Sequence, residues 1–263
     1  MLKNIIDLNI IKSDVYKMLK MRSFYWIAGV ITFLNLQGIL ITFVLLPYIE
    51  NYNPPLGFKY TSLTVIILLK DQGIINLVPV LLTCCIATID FKTKTIRNIL
   101  SRGIKRVDYY VSKVLMVFSV SFAILILRWL SVIILGSFFA EFGTIDGVFF
   151  VWLFTQIFNI FCVSCCTVAV SMLVKSNVSF LSLIWTFAYF VPIFVLSFLE
   201  PFASNDHGRM IKENVQDFFL FFLIPLSNTD DPCFFLKNIF ASFVWATVST
   251  TLGIWHFRKK EIR

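Results

Sequence analysis

Few side chains in this 263-residue chain could make or break bonds, and their spacing argues against most of the chemistry they could do. Six cysteines stand at 84, 85, 162, 165, 166 and 233. Five fall inside apolar runs, where cysteine behaves as a small hydrophobe. Cys233 falls in an expected loop without a loop partner, so neither a disulfide framework nor a zinc site is expected. Two histidines, His207 and His256, supply metal chemistry poorly. The sequence has no G-x-x-x-x-G-K-[ST] phosphate loop, no G-x-S-x-G elbow and no H-E-x-x-H pair, and Cys162-x-x-Cys165 lies within an apolar run. No residue is assigned a catalytic or metal-ligating role.

What remains is a small set of polar groups embedded in apolar surroundings. Arg128 sits midway along an apolar run. At the centre of a membrane such a charge costs ~2.5–3.5 kcal/mol on insertion scales, so it must face the bundle interior or water and find a partner. Asp71 is a candidate by depth, and Glu141 or Asp146 by reach. Two readings fit Arg128, a substrate or gating contact and an interhelical ion pair that fixes packing. Asn35 and Gln37, and Gln156 and Asn159, are milder intrusions. The last two stand three apart, share a helical face and suit hydrogen bonding to a neighbouring helix.

The elements that must position these groups follow from composition. The chain is 58% hydrophobic and only 14% charged, with mean hydropathy +0.84. A water-soluble domain carries roughly 25% charged residues, so the apolar excess indicates an all-α integral membrane protein. A span needs ~20 predominantly apolar residues, and six segments qualify: Phe24–Leu46, Gly73–Ile89, Lys113–Ala140, Val148–Val174, Val178–Phe198 and Asn238–Phe257. The second is short. Residues 61–69 before it form either an outer interfacial helix or the start of a longer span. Pro192 would kink the fifth. The 30 phenylalanines read as lipid-facing filler or as an aromatic path for an apolar substrate.

Orientation follows from the Lys/Arg bias of short loops. With both termini cytoplasmic, 17 of the 23 basic residues fall in inner segments, and ten of the 15 acids lie on or near the outer side. The net charge of +8 thus has a juxtamembrane cause. It matches anionic lipid at the inner face and gives no basic stripe for nucleic acid. The apolar run after residue 23 lacks a cleavage pattern and reads as a retained span. Residues 1–263 form one transmembrane domain in a multi-pass plasma-membrane protein.

Three segments lie outside the spans. Within 1–23, Leu8, Ile11, Val15, Met18 and Leu19 share a helical face with Lys12, Asp14, Lys17 and Lys20 elsewhere, as in a helix lying in the inner interface. In the inner loop 90–112, Ile96, Ile99, Leu100 and Gly103 share one face of a short helix flanked by Lys94, Arg97 and Arg102. Asp90 suits that helix's N-terminus, Gly103 its C-terminal stop, and Asp108 the cap of the third span. The outer loop 199–237 holds the apolar segment 218–226, too short to cross, which dips into the outer leaflet as a re-entrant segment or packs on the bundle.

This order of parts resembles the permease subunit of bacterial ABC-2-type exporters. The match is best from Asp90 to Arg106 and on to Tyr110-Val111-Ser112-Lys113. Thr95, Leu100, Ser101, Arg106, Ser112 and Lys113 fit the family's pattern, while Asp90 stands where Glu is usual and Lys94 where Gly is usual. The resemblance implies a coupling helix near 92–106, with Asp90, Thr95, Ile96, Asn98, Ile99, Leu100, Arg102 and Arg106 as ATPase-coupling residues. It implies cytoplasmic ABC ATPase subunits as partners, with ATP and Mg held there and no cofactor in this chain. A second permease chain, identical or related, would complete the path. The small size and Phe-rich spans resemble exporters of amphipathic peptides, including lantibiotic-immunity systems, and hydrophobic drugs are the other expected substrate class. The alternatives to that reading are a basic helix lying on anionic lipid and, in a different class, the recruiting element of a non-transporting scaffold or sensor. A secondary transporter would call for repeats and ion-coupling residues that the sequence lacks.

Overall fold

The computed structural model describes residues 8–40, 72–136, 147–174, 176–186, 195, 197–198 and 232–259. Among the described residues the chain is helical, without strands. The helices are α1 (Leu8–Lys20), α2 (Arg22–Leu40), α3 (Gln72–Thr83), α4 (Ile89–Lys92), α5 (Thr95–Ser101), α6 (Arg106–Gly136), α7 (Gly147–Leu173), α8 (Asn177–Trp185) and α9 (Pro232–Lys259). A π-helical turn, Cys84–Thr88, joins α3 to α4. α2, α3, α6, α7, α8 and α9 overlap the six expected apolar segments, α1 and α5 lie outside them, and α4 meets the second only at Ile89. Two stretches, Arg106–Ser131 and Phe154–Leu173, are long and apolar enough to cross a membrane by length and composition. Asp71, Glu141, Asp146, Pro192, residues 61–69 and the 218–226 segment lie outside the described residues.

α7 is the central helix, packed against α9, α3 and α6. Its inward residues are small: Cys162, Val163, Ser164, Cys165, Cys166, Thr167, Val168 and Ala169 are all buried. Small side chains let helix backbones approach closely. At Gly253 of α9, a Cβ would lie 2.9 Å from the Tyr110 ring and 3.0 Å from Ala169 Cβ, so only glycine fits without displacement. Several hydroxyls of this core bond their own helix or a neighbouring one. Ser164 donates to the Ile160 carbonyl and Ser171 to that of Val168, while the Thr83 and Thr167 hydroxyls meet at 3.0 Å between α3 and α7. A hydroxyl bonded to its own helix can be buried at little cost.

The outward faces are apolar. Trp26, Phe33, Leu127, Phe154, Phe240 and Phe243 are all exposed, distributed over α2, α6, α7 and α9. Apolar area of this extent on an outer surface marks contact with membrane or protein.

Two expectations about elements need correction. Cys233, expected in a loop, lies in the first turn of α9, because Pro232 opens that helix earlier than the apolar run suggests. Asp108, expected to cap the third span, lies inside the first turn of α6, which starts at Arg106. The acid still complements the helix dipole there, without capping it.

Candidate functional site

The chain passes from α4 to α6 through a tight reversal built around α5. The Thr93 amide closes the end of α4 on the Ile89 carbonyl at 2.8 Å, and its hydroxyl donates to the same oxygen at 2.9 Å. Lys94 then adopts φ +56°, the left-handed conformation that turns the chain into α5. This is the position where the family resemblance expects glycine, which takes that conformation without steric cost. Gly103, at φ +84°, ends α5 as expected.

α5 is amphipathic with its apolar side inward. Ile96 is fully buried, and Ile99 and Leu100 pack half-buried against the same core. Arg97, Asn98, Ser101 and Arg102 are exposed. The expected shared face of Ile96, Ile99 and Leu100 is therefore present, and it is an anchoring face.

A buried charge cluster joins α1, α4 and α6. Lys113 of α6, 0% exposed, places its Nζ 2.7 Å from Asp14 Oδ2 and 2.6 Å from Asp90 Oδ2. It also donates to the Ile86 carbonyl, in the π-helical turn, at 3.3 Å. Three acceptors match the three hydrogens of an ammonium. Tyr109, one turn earlier on α6, donates its hydroxyl to Asp90 Oδ2 at 3.0 Å. Lys17 of α1 meets Asp90 Oδ1 at 3.3 Å and Asp14 Oδ1 at 3.9 Å. Two carboxylates thus face two ammonium groups, and a buried ionic group without such balance is strongly unfavourable.

The spacing that builds the cluster is helical. Asp14 and Lys17 are three apart on α1, and Tyr109 and Lys113 four apart on α6, so each pair shares a face. The two carboxylates respond differently to their surroundings. At Asp14, burial outweighs the attraction of Lys113, and the carboxyl is pushed above its ordinary value of 3.8. Burial pushes Asp90 the same way, but Lys113, Lys17 and the Tyr109 hydroxyl together hold it below 3.8. Asp90 is the acid that the lysines hold ionised.

The C-terminus of α9 completes this end of the molecule. Arg106 Nη1 donates to the carbonyls of Phe257 and Arg258 at 2.8 and 2.9 Å, at a helix end where carbonyls lack intrahelical partners. Its guanidinium lies 5.8 Å from the Phe257 ring centroid. Phe257, fully buried, packs edge-on against Phe91 and beside Tyr109.

The eight residues expected to couple to an ATPase gather at one end of the fold, but in different surroundings. Asp90 belongs to the buried cluster and Ile96 to the core, so neither is available for surface contact. The role expected for Asp90, a favourable charge at a short helix's N-terminus, is replaced by its ion pairs. Thr95 meets Thr93 through their hydroxyls, Ile99 and Leu100 lean on the core, Arg106 caps α9, and Asn98 and Arg102 face outward. Missed by sequence reasoning as site residues were Asp14, Lys17, Tyr109 and Lys113.

α1 also differs from expectation. Ile11, Asp14, Val15 and Met18 face the protein, whereas Leu19, placed on the apolar face by sequence, is 50% exposed beside Tyr16 at 59%. The inward face is centred on Asp14 because that acid finds its counter-ions there. The signal was an acid at i+3 of an apolar face, which demands a partner.

The polar candidates within the apolar runs separate as well. Arg128 is buried on α6, while its expected partners Asp71, Glu141 and Asp146 lie outside the described residues. Gln156 and Asn159 are buried on α7. Ser242 of α9 donates to Asn159 Oδ1 at 2.7 Å, the cross-helix bond expected of this pair. Asn35 and Gln37 lie on α2, with their side chains outside the described residues. No protein-family model matches the chain, and no curated protein matches it.

Proposed function

We propose that the chain is the transmembrane permease subunit of an ATP-driven exporter, with six spans and both termini cytoplasmic. ATP would be hydrolysed in separate cytoplasmic ABC ATPase subunits, and two permease chains would enclose the path. The observation that carries this reading is the mounting of α5. A short helix is anchored by Ile96 to the core, follows α4, whose Asp90 is held in a neutral ionic joint, and turns polar residues outward. A push on such an element can pass through α4, which it follows in the chain, to α6 and α1, because ion pairs of Asp90 tie α4 to both. The exposed apolar faces support lipid as the surrounding solvent. The basic residues of α1, the 92–106 segment and the end of α9 support a cytoplasmic location for that end of the bundle.

The substrate class follows from the resemblance and the Phe-rich spans: amphipathic peptides, with hydrophobic drugs as the neighbouring class. Reconstitution with its ATPase in inverted vesicles should give ATP-dependent peptide accumulation that requires both chains. If the native chain associates with no ABC ATPase from its own cell, and supports no ATP-dependent flux, the exporter reading fails. Recruitment of a different cytoplasmic partner would then favour a scaffold or sensor.

A further inference from the structure

The chain does not run from α3 into α4 as a regular α-helix. Between them the turn Cys84–Thr88 is π-helical, closed by i→i+5 hydrogen bonds, so it accommodates one residue more than an α-helical turn. Returning it to α geometry would advance everything beyond it by one residue, about 100° around the axis and about 1.5 Å along it. Asp90 lies just beyond the turn. On a helix of ~2.3 Å radius that rotation moves its Cα alone by about 3.5 Å around the axis. The carboxylate now stands 2.6 Å from Lys113 Nζ, so a shift of that size breaks the contact. Asp90 reaches the joint because the turn is π-helical.

The turn joins two stretches with different anchors. Before it, the Thr83 hydroxyl meets Thr167 of α7 at 3.0 Å and donates to the Pro79 carbonyl at 2.7 Å. After it, Asp90 is tied to α6 and α1 by Lys113 and Lys17. Within it, the Thr88 hydroxyl donates to the Cys84 carbonyl at 2.6 Å, and Lys113 Nζ donates to the Ile86 carbonyl at 3.3 Å. Lys17 and Tyr109 add to the hold on Asp90, but Lys113 is bonded both to the turn and to the acid that the turn positions. A small cavity, about the size of one water, lies against the turn, lined by Cys85, Ile86 and Ile89 together with Asp14, Lys17 and Asp90. Close-packed interiors change between discrete arrangements, and the cavity gives this one room to do so.

We propose that the Cys84–Thr88 turn is a two-register hinge. Lys113 holds it π-helical by bonding the Ile86 carbonyl and Asp90 together, and when that hold is lost the turn becomes α-helical and α4 and α5 rotate against α7. Single π turns inside α-helices frequently mark functional positions. The hinge is a property of this chain alone and does not rest on the exporter reading.

The test measures distances in the full-length chain in lipid nanodiscs, between spin labels carried by genetically encoded, non-cysteine residues. One label replaces Lys92, exposed on α4, and the other replaces Leu173 of α7 or Leu252 of α9, both exposed. Lys113→Met should shift at least one of the two distances by about 3.5 Å or more. Deleting Ala87 from that variant removes the extra residue, so an α-helical turn then leaves α4 in its native register and both distances should return to their native values. The same deletion in the otherwise native chain should leave the chain folded and both distances unchanged. Native distances in a folded Lys113→Met variant overturn the hinge, because Lys113 then does not hold the register. Failure of the deletion to restore the distances overturns it too. So does a deletion that by itself shifts them or prevents folding, as removing a residue from a regular α-helix would. Where Lys113→Met does not insert, the deletion in the native chain decides alone, since it leaves the joint intact.

Discussion

At the base of the bundle, α1, α4 and α6 are joined by four charged side chains, three of them nearly inaccessible to solvent. Further along, α7 and α9 meet mainly through small residues, Cys162, Cys166, Ala169, Ala246 and Gly253, and a hydrogen bond from Ser242 to Asn159 is among their polar contacts. The seam holds by shape, and its individual contacts are weak and numerous. The joint holds by charge, and each member depends on the others. A shape-fitted seam resists sliding, whereas an ionic joint releases three segments at once when a single charge is lost. Under the proposed function, that difference suits the joint, and not the seam, to pass a signal from α4 and α5 into the bundle.

The largest expected effect comes from breaking the joint. Lys113→Met leaves Asp14 and Asp90 buried with only the half-buried Lys17 as counter-ion and should destabilise the fold by about 3–5 kcal/mol. Denaturant unfolding in micelles measures this, and limited proteolysis should show α1 released first. A smaller effect is expected in the seam. Gly253→Ala drives a methyl against Tyr110 and Ala169 and should cost about 1–3 kcal/mol, without selectively exposing α1 to protease. Should Gly253→Ala release α1 as readily as Lys113→Met does, the contrast between seam and joint collapses.

Ser242→Ala removes one cross-helix hydrogen bond and should cost about 0.6–1.7 kcal/mol, the range found for such bonds inside membranes. Lys94→Gly acts in the opposite direction. Relief of the left-handed strain, about 1–2 kcal/mol, is partly offset by glycine's greater freedom when unfolded, so a gain below about 1 kcal/mol is expected. Loss of stability on this substitution would show that Lys94 is held by contacts that outweigh its backbone strain.

The pH response sharpens the difference between the two acids. Asp90, held below its ordinary value, contributes stability at neutral pH that is lost as pH falls through its lowered value. Asp14, pushed above its ordinary value, favours the folded state while protonated and loses that contribution as pH rises through its raised value. The two dependences oppose each other across the acidic range. Asp14→Asn leaves Asp90 alone, so its stability should climb with pH more steeply than that of the native chain. An unchanged slope in unfolding followed by tryptophan fluorescence would contradict this division of roles.

Much of the helical framework is legible in sequence, because apolar runs of membrane length are read residue by residue. Gly103 as a stop signal and the inward Ile96-Ile99-Leu100 face are also local patterns. Asn159 was identified as helix glue because a polar residue in an apolar run must bond something. The joint was not legible, because Asp14 and Lys113 are far apart in sequence and no periodicity links them. Each nevertheless left a trace, Asp14 on an apolar helical face and Lys113 at the opening of an apolar run. Reading those two charges as partners would have located the cluster. The placement of Leu19 was misjudged because α1 was oriented toward lipid, whereas Asp14 orients it toward protein.

The most direct test of the account is the ATP hydrolysis rate of the partner ATPase in lipid, with the native chain, with Lys113→Met and with no chain. The account predicts that the native chain changes the rate and makes it respond to amphipathic peptide, and that Lys113→Met, still inserted in the membrane, loses this control. A partner whose rate is the same in all three conditions would contradict it.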